Sequence, residues 1–171
     1  MLQLSESLIN QPVLSLRASA PVAKTLQPII NPNNLKIEGF YVQDNRDKRQ
    51  LVMLDQDIRD IIAQGFVVND HDVLVEPAEL VRLQDIMRLE FTLIGKQVVT
   101  DSKQKIGKVT DFATDTTSMF VQKIYVSQSL FKSFSGGNLG IDRTQIVEIT
   151  STTIVVNDLH GTMPLRAGAV A

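Results

Sequence analysis

The chain has 171 residues, 43% of them hydrophobic and 21% charged, with a formal net charge of −2. That is the composition of a folded protein with apolar surface to bury, and its charge supplies no global attraction to phosphate or anionic lipid. Cysteine is absent, which excludes disulfides, thiolate zinc sites, iron–sulfur clusters and a cysteine nucleophile.

From Met1 to Arg17 the sequence has Glu6 near the start and no basic stretch leading into a continuous apolar run. A secretory signal is therefore not expected. No window reaches the roughly 18 apolar residues of a membrane-spanning helix, so the expectation is a cytoplasmic protein. Short apolar runs broken by turn residues then predict strands over Val13–Leu16, Val22–Ile30, Leu35–Val42 and Leu51–Leu54. The charged stretch 43–50 reads as a solvated hairpin turn between two of them. Asp55 is placed to cap a helical turn over Gln56–Ile62, with Ile58, Ile61 and Ile62 facing inward. Two further strands, Phe66–Val68 and Val73–Val75, flank a polar turn at Asn69–Asp72.

The centre changes character. Leu80, Leu83, Ile86 and Met87 stand at helical spacing behind Pro77 and Glu79, which predicts a short amphipathic helix over 77–89. Strands follow at Gln97–Thr100, Ile106–Thr114, Met119–Val126, Leu139–Ile141, Ile146–Ile149 and Thr153–Val156. Residues 158–171 lack periodicity and read as a disordered tail.

The two halves echo one another. Leu93, Ile94 and Val98 repeat Leu8, Ile9 and Val13 at a spacing of 85, while Lys108, Tyr125 and Val126 repeat Lys24, Tyr41 and Val42 at a spacing of 84. Ile106, Met119, Val121 and Ile124 match Val22, Leu35, Ile37 and Phe40 conservatively. A period of half the chain implies two copies of one small fold.

The segment Gly95-Lys96-x-Val98-x-x-Asp101, followed by Ile106-Gly107-Lys108-Val109-x-Asp111, resembles the PRC-barrel family. Val121–Val126, Ile141-Asp142, Ile146–Ile149 and Ile154–Val156 complete that family's succession of strands, so the likeness covers 93–157. The first half departs from it: Asn10 and Gln11 stand where Gly95 and Lys96 stand, and Ala23 replaces Gly107. With the repeat, the resemblance implies a mainly β protein of two small PRC-type β-barrels joined by a short amphipathic helix. Its expected parts are a divergent first barrel at 1–76, a helical linker at 77–92, a second barrel at 93–157 and the tail. The family's barrels serve as adaptors, in photosynthetic reaction centres and in ribosome maturation factors, so the resemblance implies protein–protein contact without catalysis or a cofactor.

Several clusters invite chemistry. Asp70-His71-Asp72 would place two carboxylates and an imidazole near a cation, but it also fits a polar turn, which is the reading favoured here. Neither His71 nor His160 has a nucleophile context, and no G-x-S-x-G occurs. The glycine-rich stretch 135–140 lacks the Lys-Ser/Thr of a phosphate loop and reads as a turn. Asp55, Asp57 and Asp60 beside Arg59 suit the acidic start of a short helix better than acid–base pairs. Arg46, Lys48 and Arg49 form one basic tip and Lys103 and Lys105, with Lys108, another. Both are candidates for phosphate contact, yet acidic neighbours dilute them and no aromatic residue is interleaved for base stacking. The segment 127–134 replaces the charged turn of the first copy with Leu130, Phe131 and Phe134, which must fold back on the protein or meet a partner.

The sequence thus predicts a non-catalytic cytoplasmic adaptor that binds a protein partner, itself included, with Leu130, Phe131 and Phe134 as candidate contacts. An RNA- or ribosome-associated assembly factor, contacting phosphate through the two basic tips, is the alternative. A metal site at Asp70-His71-Asp72 is a third and weaker reading.

Overall fold

A computed structural model describes residues 1–128 and 138–158. The chain is mainly β, as the sequence predicts. It divides into two compact units, Met1–Phe91 with Thr114–Phe120, and Thr92–Ala113 with the described residues from Val121 onward.

The first unit contains β1 (Leu2–Leu4), β2 (Pro12–Ser15), β3 (Ala20–Asn31), β4 (Lys36–Asp44), β5 (Gln50–Leu54), β6 (Ile58–Ile62) and β7 (Gly65–Val68). Its strands pair in the order β5-β4-β3-β2-β7-β6. All these ladders are antiparallel except β2 with β7, which runs parallel and sets Val13 opposite Phe66. Around that pair Val13, Ile37, Phe40, Val42, Val52, Met53, Phe66 and Val68 are sealed from solvent. Phe40 and Phe66 meet edge to face with centroids 5.0 Å apart, an arrangement that suits the charge distribution of the two rings.

The second copy supplies β8 (Gln97–Thr100), β9 (Lys105–Asp115), β10 (Phe120–Gln128), β11 (Asn138–Asp142), β12 (Ile146–Ile149) and β13 (Thr153–Val156). They pair in the corresponding order β11-β10-β9-β8-β13-β12, again with one parallel ladder, β8 with β13. Val98, Val121, Ile124, Val126, Ile154 and Val156 form the sealed core. Among the described residues, strand pairing does not close either path into a ring.

The repeat extends to backbone conformation. Asn10 and Gly95, Ser19 and Lys103, and Leu35 and Met119 are matched positions, and all six have positive φ. At the β3–β4 and β9–β10 turns the strained residue is buried Leu35 or Met119, whose N–H donates to the carbonyl of Asn31 or Asp115. The side chains of Asn31 and Asp115 then accept backbone N–H groups two residues on, at Asn33 and Thr117. Hydrogen bonds from the Ser118 hydroxyl and the Met1 ammonium hold the Asp115 carboxyl down at about 2.

Three expectations need correction. Residues 58–62 form a strand paired with β7, not part of a helical turn. A bulge between Ile58 and Asp60 adds one residue to that strand, so Ile58 and Ile61 share a face at a spacing that imitates a helix. The strand expected at Val73–Val75 is instead a 3-10 turn over His71–Val73, with Val75 bridging to Val52. The single helix over 77–89 is two 3-10 turns, Pro77–Glu79 and Val81–Leu83, followed by the five-residue α1 (Gln84–Arg88). Apolar residues at 80, 83 and 86 recur every three positions, the period of a 3-10 helix. Strand β1 had no counterpart in the sequence reading, and the tail beyond residue 158 lies outside the described residues.

Thr114 is fully buried, and among the described residues its hydroxyl has no hydrogen-bond partner. The matched residue of the first copy is Ile30, also buried. Replacing an unsatisfied buried hydroxyl by a methyl of similar shape removes a desolvation penalty. Thr114→Val is expected to raise stability by about 1 kcal/mol, seen in urea unfolding as a higher midpoint at unchanged slope; a lower midpoint would show that the hydroxyl is bonded.

Candidate functional site: an apolar cleft with an acidic rim

The first unit carries a cleft of about 450 Å³ between the β4–β5 edge and the segment 79–86. Its position follows from the local sequence. Gly39 stands opposite Leu54, and a Cβ there would lie 2.5 Å from the Met53 carbonyl oxygen, so glycine lets β5 come close to β4. Glu38, the preceding residue, lines the cleft and accepts a hydrogen bond from the Asn31 amide at 3.2 Å. Where β5 ends, Leu54, Asp55 and Gln56 form one wall. Asp55 is held 2.9 Å from the Lys36 ammonium, and that hydrogen bond raises the lysine pKa. Burial, reinforced by the Asp55 charge, raises the pKa of neighbouring Asp57.

The opposite wall is the broken helical segment. The Gln84 side-chain amide donates to the carbonyls of Pro77 and Leu80, at 2.7 and 3.2 Å, and so ties the two 3-10 turns together. Leu80, Leu83 and Ile86 point their half-buried side chains into the cleft beside Leu54, and Val81 at its mouth is 80% exposed. Glu79 and Arg82 complete the rim. Four half-exposed aliphatic side chains and an exposed valine thus sit among three carboxylates and one guanidinium. Such a surface can hold an apolar group and orient it by charge.

A second polar feature lies in the same unit. Asp44 ends β4 with only 1% of its surface exposed, and its Oδ2 is 2.7 Å from His71 Nε2. Its other oxygen accepts the Arg46 N–H at 2.8 Å. Burial pushes this carboxyl up, but the hydrogen bonds from Arg46 and His71 outweigh it and hold the group below its ordinary value. The pair fastens the β4–β5 turn to the His71–Val73 turn. It also dissolves the supposed triplet: Asp70 turns to Arg17 at 2.9 Å, His71 to Asp44, and Asp72 is exposed. Among the described residues no three His, Asp or Glu side chains gather as metal ligands.

Of the residues singled out from sequence, Arg46, Lys48 and Arg49 lie exposed on the β4–β5 turn. Arg49 there contacts Asp47 at 2.5 Å and Glu76 at 2.6 Å. Lys103 and Lys105 lie exposed at the β8–β9 turn, Lys103 in the left-handed conformation. Leu130, Phe131, Phe134 and His160 lie outside the described residues. Sequence reasoning does not find the cleft, because Leu80, Leu83 and Ile86 at helical spacing predict only the apolar face of an amphipathic helix. Val81, an apolar residue off that face, was the available signal. Among the described residues no helix is long and apolar enough to cross a membrane. Comparison with protein-family models and with curated proteins finds no match to this chain.

Asp44 has a depressed folded-state pKa, so its stabilisation is complete above the ordinary carboxylate value of 3.8 and is lost as pH falls through the lower folded value. Asp44→Asn is expected to destabilise by about 2 kcal/mol at neutral pH. That difference should shrink as pH falls through the lowered folded-state value, as urea unfolding at neutral and at acidic pH measures. A difference that stays constant with pH would remove the charge from the account.

Proposed function

We propose that the protein is a non-catalytic cytoplasmic adaptor, built from two PRC-type barrels, that binds a protein partner. The observation that carries this reading is the cleft, where Leu54, Leu80, Leu83, Ile86 and Val81 present unpaired aliphatic surface within a charged rim. Isolated exposed apolar residues are ordinary, whereas a group of them converging in one concavity favours a binding surface. The barrel assignment draws support from the shared six-strand order and the matched left-handed positions of the two copies. Leu130, Phe131 and Phe134 offer a second apolar surface by sequence.

A second reading, association with RNA or the ribosome, is favoured by the exposed basic turns. Among the described residues Arg46, Lys48, Lys103 and Lys105 have no ion-pair partner.

Capture of partners from the native host by the tagged full chain, with and without nuclease, separates the two. The adaptor reading expects a defined protein that survives nuclease and is lost with Val81→Asp or with Phe131→Asp plus Phe134→Ser. Ribosomal proteins and RNA, released by nuclease and by moderate salt, would replace it with the second reading, since phosphate contacts weaken steeply with salt.

A further inference from the structure

The cleft also carries information about what enters it. Its lining holds three acidic residues, Glu38, Asp55 and Glu79, against one basic residue, Arg82. Two of the acids are already oriented: Glu38 by the Asn31 amide and Asp55 by Lys36. Glu79 is exposed at the start of the apolar segment, one residue before Leu80 and two before Val81. The floor between them is aliphatic. A volume of about 450 Å³ takes several side chains, a size that suits a short extended segment.

The two copies differ at this place. In the second copy the positions matching Glu38, Leu54 and Asp55 are Gln122, Asp142 and Arg143. Asp142 there is occupied in capping its own turn, accepting from the Thr144 N–H at 3.0 Å and the Thr144 hydroxyl at 2.8 Å. An aliphatic wall residue has become a carboxylate, and a rim carboxylate has become a guanidinium. The scaffold is repeated, while the residues that make this cleft acidic and aliphatic in the first unit are replaced at the matching positions of the second.

We propose that this cleft binds an extended partner segment in which Lys or Arg alternates with aliphatic residues, the aliphatic side chains entering between Leu54 and Leu83 and the cations meeting Glu79 and Glu38. This assignment rests on the adaptor reading and narrows it to one surface and one ligand chemistry. Burial of the aliphatic groups supplies most of the affinity, and the rim carboxylates select sign and register.

The test uses the full chain and three fluorescein-labelled peptides: Gly-Leu-Lys-Leu-Arg-Leu-Gly, the same peptide with serine for each leucine, and the same peptide with Glu and Asp for Lys and Arg. Anisotropy measures binding, and amide chemical shifts locate it. The first peptide is expected to bind saturably and to move resonances of Glu38, Leu54–Gln56 and Glu79–Ile86, with the other two binding at least about tenfold more weakly. Val81→Asp should weaken it about tenfold and Glu79→Lys about fivefold; both positions are exposed, so the fold has no call on either side chain. Absence of saturable binding, equal binding of the serine peptide, or full affinity in both variants would overturn the proposal. A host partner that is captured equally by both variants, and is not displaced by the first peptide, would overturn it while leaving the adaptor reading in place. Specific peptide binding with no host protein partner would uphold the cleft and remove the adaptor reading.

Discussion

The parallel pairing within each copy is the constraint on which the rest of the structure depends. β2 must find β7, and β8 must find β13, across all the intervening strands of the copy. Such contacts are distant in the chain, and their formation waits on closure of a long loop. The pairing is held by what surrounds it, for Val13, Phe66, Val98 and Ile154 are each completely buried at its centre. Gly65 shows how tight the approach is: a side chain there, at φ 138°, would run into the Pro12 carbonyl. Because β7 ends beside β2, the chain leaves the first copy at a fixed point and travels on through Val75, which bridges to Val52 of β5. That bridge carries residues 77–88 to the end of β5 and so creates the cleft.

The repeat survives in backbone geometry better than in side chains. Asn10 and Gly95 share a left-handed conformation and the same hydrogen bond, to the carbonyl of Thr25 in one copy and of Val109 in the other. Thr25 adds a cross-link of its own, its hydroxyl donating to Leu8 and accepting from Gln11. Val109 has no hydroxyl to make it. The backbone conformation is therefore set by the ladder, and the side chain that supports it can change between copies. Leu35 and Met119 make the same point from the other direction. A left-handed Leu or Met is strained, and burial of the side chain beside a turn closed by Asn31 or Asp115 offsets that strain.

This is why strands and the repeat were legible in the sequence while the finer features were not. Alternation and turn residues place β3, β4, β9 and β10 within a few residues, because burial on one face writes a period of two. A bulge breaks that period, and Ile58 with Ile61 then reads as a helix even though both residues are β-branched and suit a strand. Asp44 and His71 lie far apart in the chain and look like ordinary turn residues; only the register of β4 with β3 and β5 buries the carboxylate. Nothing local marks it.

The cleft was illegible for a different reason. An apolar residue facing a core and one facing an empty concavity have the same spacing, so Leu80, Leu83 and Ile86 alone cannot say which they do. The distinction comes from the other wall, where Gly39 admits β5 and Asp55 is held by Lys36. In the second copy Phe120 and Arg143 occupy the positions of Lys36 and Asp55, so different residue types stand there although both 3-10 turns after β5 and β11 persist. Lys36 and Asp55 do not recur, and what they hold in place is the rim of the cleft, so the copies differ in these few side chains on a common frame.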